Sequence, residues 1–451
     1  MIMKIDMPFG AAEIIQKLAA RGFDAYVVGG CVRDCLMGRE AEDWDITTGA
    51  RPQEVKAVFA GRKMIDIGER HGTVAVNAGG KYYEVTTYRI DGPYADGRRP
   101  DSVSFTEDLR EDLCRRDFTI NAMAYNDKIG LVDYFGGHND VKAGVVRCVG
   151  DAKTRFAEDY LRIMRAYRFA ATLGFGLAPD VRRAAVMGRE NLRNIAVERV
   201  RVEFMRMLLS DDFDGIEMFF EDCGGALFPE IVALAGFEQH NPYHCHDVLR
   251  HSFHVLRNTP PDAALRLAAL YHDTGKLHTR TTDNGGVHHF YGHEAVSLRI
   301  AAKALEHWRF DNHTTNRVLT IIKHHSMNFG TKRTAVKRLL NKLGPDASRD
   351  ILNFQAADNM AKSHKAKSEK LQDVLAAKAL LEDIIANHEP VKISDLAISG
   401  RDVMDVLGIA PSAAVGEHLQ YLMGVVLKNP DANTYENLID ILRKRDNRAQ
   451  M

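Results

Sequence analysis

Asp43 and Asp45, in "EDWD", flank a single tryptophan shortly after a Gly pair, Gly29 and Gly30, and an arginine, Arg33. On an extended chain, side chains two apart share a face, so these two carboxylates repel unless something positive lies between them. Glu84, in the alternating stretch "KYYEVTTYRI", stands on a strand beside the same candidate site. Two aspartates and a glutamate converging from neighbouring strands form a hard, oxygen-rich nest. Magnesium prefers such ligands and keeps coordination positions for substrate phosphates. Two such ions would activate an attacking hydroxyl and neutralise a leaving pyrophosphate during in-line displacement. Gly29 and Gly30 would let backbone approach a triphosphate closely, and Arg33 would pair with it.

The elements that must hold these residues are legible around them. "FDAYVV" suits a buried strand, "CVRDCLMG" a short helix ended by Gly38, and "DWD" a second extended stretch. Up to about residue 150, short apolar strands such as "GTVAVNAGG" alternate with helices and Gly-containing turns, which predicts an α/β or α+β domain. From about 151 onward nearly every segment has helical periodicity, broken by "TPPD" and "ANHEP". The chain has 451 residues, enough for about three domains on the usual prior. With 60 basic against 61 acidic residues, a nucleic-acid surface must be a local patch. Six cysteines without a CxxC pair predict a reduced, cytoplasmic protein. Neither a secretion signal nor a membrane span is expected, and no internal repeat is visible.

Five ordered stretches carry a resemblance: "GGCVRDCLMGREAEDWDITT", "YYEVTTYR", "RRPDSVSF", "RRDFTINAMAYN" and "RFAEDYLRIMRAYRFAATLGF". Together, over about residues 20–210, they resemble the bacterial (class II) tRNA nucleotidyltransferase and poly(A) polymerase family, within the polymerase β-like nucleotidyltransferases. The resemblance implies an α+β nucleotidyltransferase head at residues 1–150, a helical base-reading neck at 151–215, a helical body at 216–370 and a helical tRNA-binding tail at 371–451. It also implies that Asp43 and Asp45 are metal ligands, Glu84 the third carboxylate, and Gly30 and Arg33 triphosphate contacts. Arg116, Asp117 and Asn121 resemble the segment that contacts the sugar and phosphates of the nucleotide.

The neck offers a separate physical test. Asp159 and Arg162 are three apart, and Arg162, Arg165 and Arg168 recur every third residue, so one helix face can carry them all. A carboxylate only accepts hydrogen bonds and a guanidinium only donates. Cytosine and adenine each pair an amino donor with a ring-nitrogen acceptor, which such a pair matches; uracil and guanine would leave Asp159 unpaired. Each lost contact costs roughly 1 to 3 kcal/mol in a desolvated site. Glu198, Arg199 and Glu203, further on, read as residues that orient the neck.

"HDVLRHSFHVL", "LAALYHDTGKLH", "YGHEAVS", "IIKHHSMNF" and "FQAADNMAKS" follow in order and resemble the HD phosphohydrolase superfamily. That resemblance implies one divalent metal on His251, His272, Asp273 and Asp358, with His293 and His325, or His324 in its place, available for a second. Imidazoles and carboxylates suit a borderline transition metal such as Mn, Ni or Co. Lys276 would steady a phosphate. Some relatives with such a domain hydrolyse 2',3'-cyclic phosphates or phosphomonoesters, while others keep it as a scaffold for tRNA.

The tail resembles that of the bacterial enzymes, with Gly400 ending one segment and Gly408 the helix after it. Between 331 and 370, ten Lys or Arg stand against four Asp or Glu, a candidate surface for structured RNA. The expectation is an enzyme that adds C, C and A to tRNA 3' ends from CTP and ATP with magnesium. Its rivals are a partial CC- or A-adding enzyme, for which residues 90–112 are the discriminating loop, a poly(A) polymerase, and a metal-dependent HD phosphohydrolase. The oligomeric state is not legible.

Overall fold

A computed structural model describes residues 4–68, 72–92, 102–328, 330–364 and 370–449. They form two compact units, residues 1–232 and 233–451. The first contains the expected α+β head, and helices dominate everything after it.

The head is organised by nine strands: β1 (Ala25–Val28), β2 (Ile46–Thr48), β3 (Met64–Gly68), β4 (Thr73–Ala78), β5 (Lys81–Thr87), β6 (Arg89–Asp91), β7 (Val103–Phe105), β8 (Met123–Asn126) and β9 (Gly130–Asp133). Seven make one sheet in the order β3-β4-β5-β2-β1-β8-β9, and β6 pairs separately with β7. All pairs in the large sheet are antiparallel except β2 and β5, which run parallel with Ile46 opposite Val85. Gly79 and Gly80 both take positive φ between β4 and β5, the two-residue turn whose twist matches a hairpin. The all-buried β2 and β1 lie in the interior of the sheet. Tyr26 and Val28 pack there with Tyr88, Leu109, Leu113 and Val149.

The helical part carries two small departures from an all-α reading. Val145–Val146 pairs in parallel with Gly176–Leu177, and Thr281–Thr282 forms a hairpin with His288–His289. The helix Arg333–Met360 is broken at Gly344, whose φ of 78° and ψ of 173° precede Pro345, as a proline that removes a donor and crowds the preceding turn requires. Gln372–Ala386 packs on it through Val374, Ala377, Leu381 and Ile384. In the tail, Gly408 does close a helix in the left-handed region, but Gly400 opens that helix, capped by Ser399. A serine N-cap satisfies free N–H groups, so the glycine after it becomes the first helical residue.

Of the basic stretch, Arg333 and Lys337 pair with Glu389, Arg349 with Glu382 and Lys362 with Asp358. Those four charges are spent inside the fold, which reduces the field open to RNA. Residues 365–369 of that stretch, and 93–101 of the loop singled out as the discriminator, lie outside the described residues. The six cysteines are free thiols. No helix among the described residues is long and apolar enough to cross a membrane.

Candidate functional site

Trp44 explains how "DWD" presents its acids. The indole is buried and donates to the Ala41 carbonyl at 3.1 Å, so the aspartates on either side project to the opposite, open face. They occupy the extended lead-in to β2; the strand itself begins only at Ile46. Because Ile46 stands beside Val85, the position before it comes alongside Glu84, and the parallel register delivers the third carboxylate. The effect is electrostatic as well as geometric. The protein around Asp45 displaces water and pushes its carboxyl above the usual range, with Arg116 opposing and Asp43 adding to the rise. Glu84 is raised too, first by loss of water and then by Asp45 and Asp43. Carboxyls raised in this way favour the protonated form until positive charge arrives to stabilise the anions.

Behind that face, Asp112 is wholly buried. It accepts from Thr47 Oγ1 at 3.1 Å and from Arg115 at 2.7 Å, and lies 3.5 Å from Arg116. Sequence reading missed Asp112; its signal was an acid placed three and four residues before an Arg pair. Arg116 Nε is buried without a hydrogen-bond partner among the described residues, so this fork retains a donor. Gly29 makes room for it: a Cβ there would lie 3.1 Å from Arg116 Nη1, and φ is +83°, a region that L side chains enter only with strain.

Arg33 is placed differently from the expectation. It is buried, donating to Asn121 Oδ1 at 2.7 Å and to Asp34 Oδ1 at 2.7 and 2.9 Å. The neighbouring carboxylate captures the fork that was to face a triphosphate. Asn121 in turn lies 3.5 Å from Asp117, which accepts from Phe118 N at 2.9 Å and Arg165 Nε at 2.7 Å. Burial alone would raise Asp117, but Arg165 and Arg162 outweigh it and hold the carboxyl at about 2. These residues organise the floor of the head site and tie it to the neck.

In the neck Asp159, expected on one helix face with Arg162, lies just outside that helix. Asp159 falls between two helices, Ala152–Glu158 and Leu161–Leu173, in an extended conformation, because the chain turns there. Its carboxylate accepts from Leu161 N at 3.0 Å and Arg199 at 2.8 Å. Arg162 donates to Glu158 and to the carbonyls of Arg155 and Arg115. Arg168 pairs with Glu203 at 2.5 Å, and Arg165 reaches the same glutamate at 3.8 Å. Phe169 lies under the guanidinium groups of Arg33, Arg165 and Arg168. Arg199 and Glu203 therefore belong to the arginine network. Their separation of 40 and 35 residues from their partners hid that from sequence periodicity.

The body holds a second cluster. His251 comes from helix Val248–Asn258, while His272 and Asp273 follow helix Ala263–Tyr271. His293 opens helix His293–His307, His325 ends Asn312–His324, and Asp358 lies near the end of Arg333–Met360. Gly275 permits the convergence: a Cβ there would meet the His293 carbonyl at 2.2 Å. His251 Nε2 is 3.0 Å from Asp358 and 3.8 Å from Asp273. His272 Nε2 is 3.1 Å from Asp273 Oδ2, while His293 and His325 lie 3.3 and 3.9 Å from Asp273 Oδ1. Asp273 thus presents one oxygen to each half of the cluster, and His325, not His324, completes the second half.

The tautomers fit a cation. Nδ1 of His272, His293 and His325 each sits 2.7 to 3.0 Å from a backbone carbonyl. A carbonyl only accepts, so Nδ1 carries a proton in each, and Nε2 is the atom left to face a cation; burial lowers His293, but its contact with Asp273 outweighs that and raises it. Nε2 of His293 and His325 then face each other at 3.2 Å, and His272 Nε2 is buried without a hydrogen-bond partner among the described residues. Burial, foremost, lowers His251, and it drives His325 down to about 3. Burial opposes the ionisation of Asp273 and Asp358, yet His272 and Lys276 hold the first, and Lys362 and His251 the second, well below the usual carboxylate range. Lys276, expected at a phosphate, is buried 2.7 Å from Asp273 and 2.8 Å from Gln239. Lys362 and Gln239 were not singled out from sequence.

Among the described residues, three or more His, Cys, Asp or Glu ligand atoms within 4.8 Å of one another occur at His251–His272–Asp273 and at Asp273–His293–His325. The head carboxylates are not drawn so close, as expected of like charges with no cation between them.

Residues 25–147 match the family described as poly A polymerase head domain, 174–233 that described as probable RNA and SrmB-binding site of polymerase A, and 243–388 the HD domain. The chain is 50% identical over 198 residues to the CCA-adding enzyme of Geobacillus stearothermophilus, which covers 44% of this chain and 48% of that one. It is 47% identical over 226 residues to that of Lactobacillus delbrueckii subsp. bulgaricus, covering 50% and 56%. The chain thus spans about half the length of the relatives it matches. Among solved structures it resembles the Bacillus stearothermophilus CCA-adding enzyme in complex with CTP, at a TM-score of 0.73 and 29% identity over 99% of both chains. The fold is shared with the Thermotoga maritima CCA-adding enzyme complexed with tRNA, at a TM-score of 0.60 and 20% identity over 96% of this chain and 94% of that one. Nucleotidyltransferase and HD domains both work with divalent metals. A poly A polymerase head, an RNA-binding region and an HD domain therefore follow one another along the chain.

Proposed function

We propose that the chain is a CCA-adding tRNA nucleotidyltransferase, taking CTP and ATP to add C, C and A to tRNA 3' ends without a nucleic-acid template. The observation that carries the reading is the open face where Asp45 and Glu84, raised first by loss of water and then by the neighbouring carboxylates, stand with Asp43 beside an arginine with an unspent N–H. Asp43 and Asp45 would hold magnesium, which supplies charge neutralisation for the triphosphate and for the departing pyrophosphate. The terminal 3'-oxygen of the tRNA bonds to the α-phosphorus while the bond to the β-phosphate bridging oxygen breaks. Glu84, made a better base by its surroundings, takes the hydroxyl proton. Arg116 steadies the phosphates, with Gly29 and Gly30 giving the backbone close access. Arg33, Asp117 and Asn121 fix the floor beneath the sugar. Asp159, held by Arg199, and Arg162, held by Glu158, read the Watson–Crick edge of C or A once the nucleotide competes for those partners, and Arg165 and Arg168 keep the helix in place. The head, neck, body and tail at 1–150, 151–215, 216–370 and 371–451 divide these tasks.

The test uses three tRNAs, lacking CCA, lacking only the last A, and complete, each incubated with CTP and ATP together, one of them labelled. The reading requires growth by three, one and no nucleotides respectively. Arrest after two additions or an extended A tract refutes it in favour of a partial enzyme or a poly(A) polymerase.

The body supports a second activity of the same chain, a metal-dependent phosphohydrolase acting on 2',3'-cyclic phosphates or phosphomonoesters. The favouring observation is the convergence of His293 and His325 Nε2, 3.2 Å apart, beside the Asp273 carboxylate, a donor set that a Mn, Ni or Co ion would suit. His251, His272, Asp273 and Asp358 would hold one ion and Asp273, His293 and His325 another, supplying a water made nucleophilic near neutral pH. Phosphate release from a cyclic nucleotide with added metal, lost in His272→Ala, is the required result; no release with any of the three metals removes the reading.

A further inference from the structure

The cavity above the body cluster measures about 590 Å³, within the range of small-molecule sites. Its floor includes Asp273, His293 and His325, and its wall includes His289 and Tyr291 from the hairpin that precedes His293. Tyr291 is 77% exposed, an unusual position for a large ring two residues from a buried histidine. It is not loose. Its ring lies 7° from parallel to the His289 imidazole with centroids 5.5 Å apart. His289 is fixed in turn by Asp283 at 2.9 Å, and Asp283 accepts from the N–H groups of Gly285 and Val287 in the hairpin turn. One face of the tyrosine is thus backed by a tethered imidazole, and most of its surface is left to solvent at the mouth of a cavity whose floor is suited to phosphate chemistry.

We propose that Tyr291, backed by His289, is a stacking platform for a purine or pyrimidine base, so that the body site takes phosphate esters that carry a nucleobase. The proposal rests on the phosphohydrolase reading for the chemistry at the floor. A preordered aromatic face costs a ligand little to stack on, and every base has a π-face to offer it. Lys276 and Lys362 also line the cavity, each paired with an aspartate of the cluster. A phosphate at the cluster would leave the rest of the ester to extend toward the hairpin. A ring stacked there is recognised mainly by its face, its shape and polarisability.

Two measurements test it. Hydrolysis of adenosine 2',3'-cyclic phosphate and of glycerol 2-phosphate, which has no ring, is compared in wild type, Tyr291→Ala and Tyr291→Phe with Mn, Ni or Co added. Binding of adenosine 3'-phosphate to the metal-free full chain is measured in the same variants by calorimetry. Because Tyr291 lies outside the head unit, differences between variants report the body site. Tyr291→Ala is expected to raise KM for the nucleotide and weaken metal-free binding by roughly ten- to a hundredfold, with Tyr291→Phe close to wild type and glycerol 2-phosphate unaffected. Equal loss on both substrates, or metal-free binding unchanged in Tyr291→Ala, overturns the platform. If wild type hydrolyses neither ester, the phosphohydrolase reading fails by itself, and the binding comparison still decides the platform.

Discussion

In the head, Asp45 and Glu84, beside Asp43, are pushed toward protonation, first by loss of water and then by the neighbouring carboxylates. In the body, Asp273 and Asp358 are almost wholly buried, yet they are driven the other way by His272 and Lys276 in one case and Lys362 and His251 in the other. The head leaves its compensating charge to be brought in, which suits a site that must admit and release a metal-bound triphosphate on every addition. The body supplies compensation from its own lysines and histidines, which suits a resident metal centre. Exposure alone would suggest the reverse ranking, since carboxylates in water usually cost one another little. What separates the two is how many cations the fold provides within reach.

This contrast can be broken by substitution. Removing one head carboxylate, as in Asp45→Ala, is expected to cut nucleotide incorporation by roughly a thousandfold while leaving the unfolding midpoint in urea unchanged or slightly raised. A large stability loss would mean that the acids are structural. In the body the signs are exchanged. Asp273→Ala strands Lys276 and the surrounding histidines and is expected to cost about 3 to 5 kcal/mol in unfolding free energy, with tRNA addition retained by the protein that stays folded. Loss of less than about 1 kcal/mol would contradict the view that this cluster is held by its own charges.

Two smaller effects sharpen it. Asp117 sits between the two regimes, buried but paired with Arg165. Because its folded value of about 2 lies below the ordinary 3.8, the stability it contributes is present above the ordinary value and fades as pH falls from about 4 toward 2. The wild-type advantage over Asp117→Asn should therefore be about 2 kcal/mol at neutral pH and vanish near pH 2; an advantage that does not change over that window refutes the pairing. Asp159→Asn exchanges an acceptor-only group for one that also donates. UTP should then be incorporated better relative to CTP, by about tenfold, in single-addition assays. An unchanged ratio would leave the arginine network purely structural.

Much of the chemistry was visible before the structure because it obeys short periods. Asp43 and Asp45 share a face by the two-residue repeat of an extended chain, and Glu84 by an alternating strand whose parallel register brings it alongside. The histidines of the body came in order on helical segments, and all but the choice between His324 and His325 could be assigned. What was hidden is what long-range pairing decides. Asp159 was matched with Arg162 by helical spacing, but the chain turns at that position and Arg199, 40 residues on, takes the carboxylate. Arg33 was assigned to a phosphate because nothing in the sequence shows that Asp34 and Asn121 reach its fork. Asp112 was passed over as one more acid on a short helix, although its complete burial makes it the anchor of Arg115 and Arg116. The basic run from 331 to 370 read as a surface, and helix Gln372–Ala386 with the turn after it neutralises part of it.

The most direct measurement places the two centres side by side in one preparation. A tRNA trimmed of its last three nucleotides is incubated with CTP, ATP and magnesium and, separately, a cyclic nucleotide is offered with manganese, to wild type, to Asp43→Ala/Asp45→Ala and to His272→Ala. The account predicts that the head variant loses addition and keeps hydrolysis, and that the body variant keeps addition and loses hydrolysis. Undiminished addition by the head variant would contradict it.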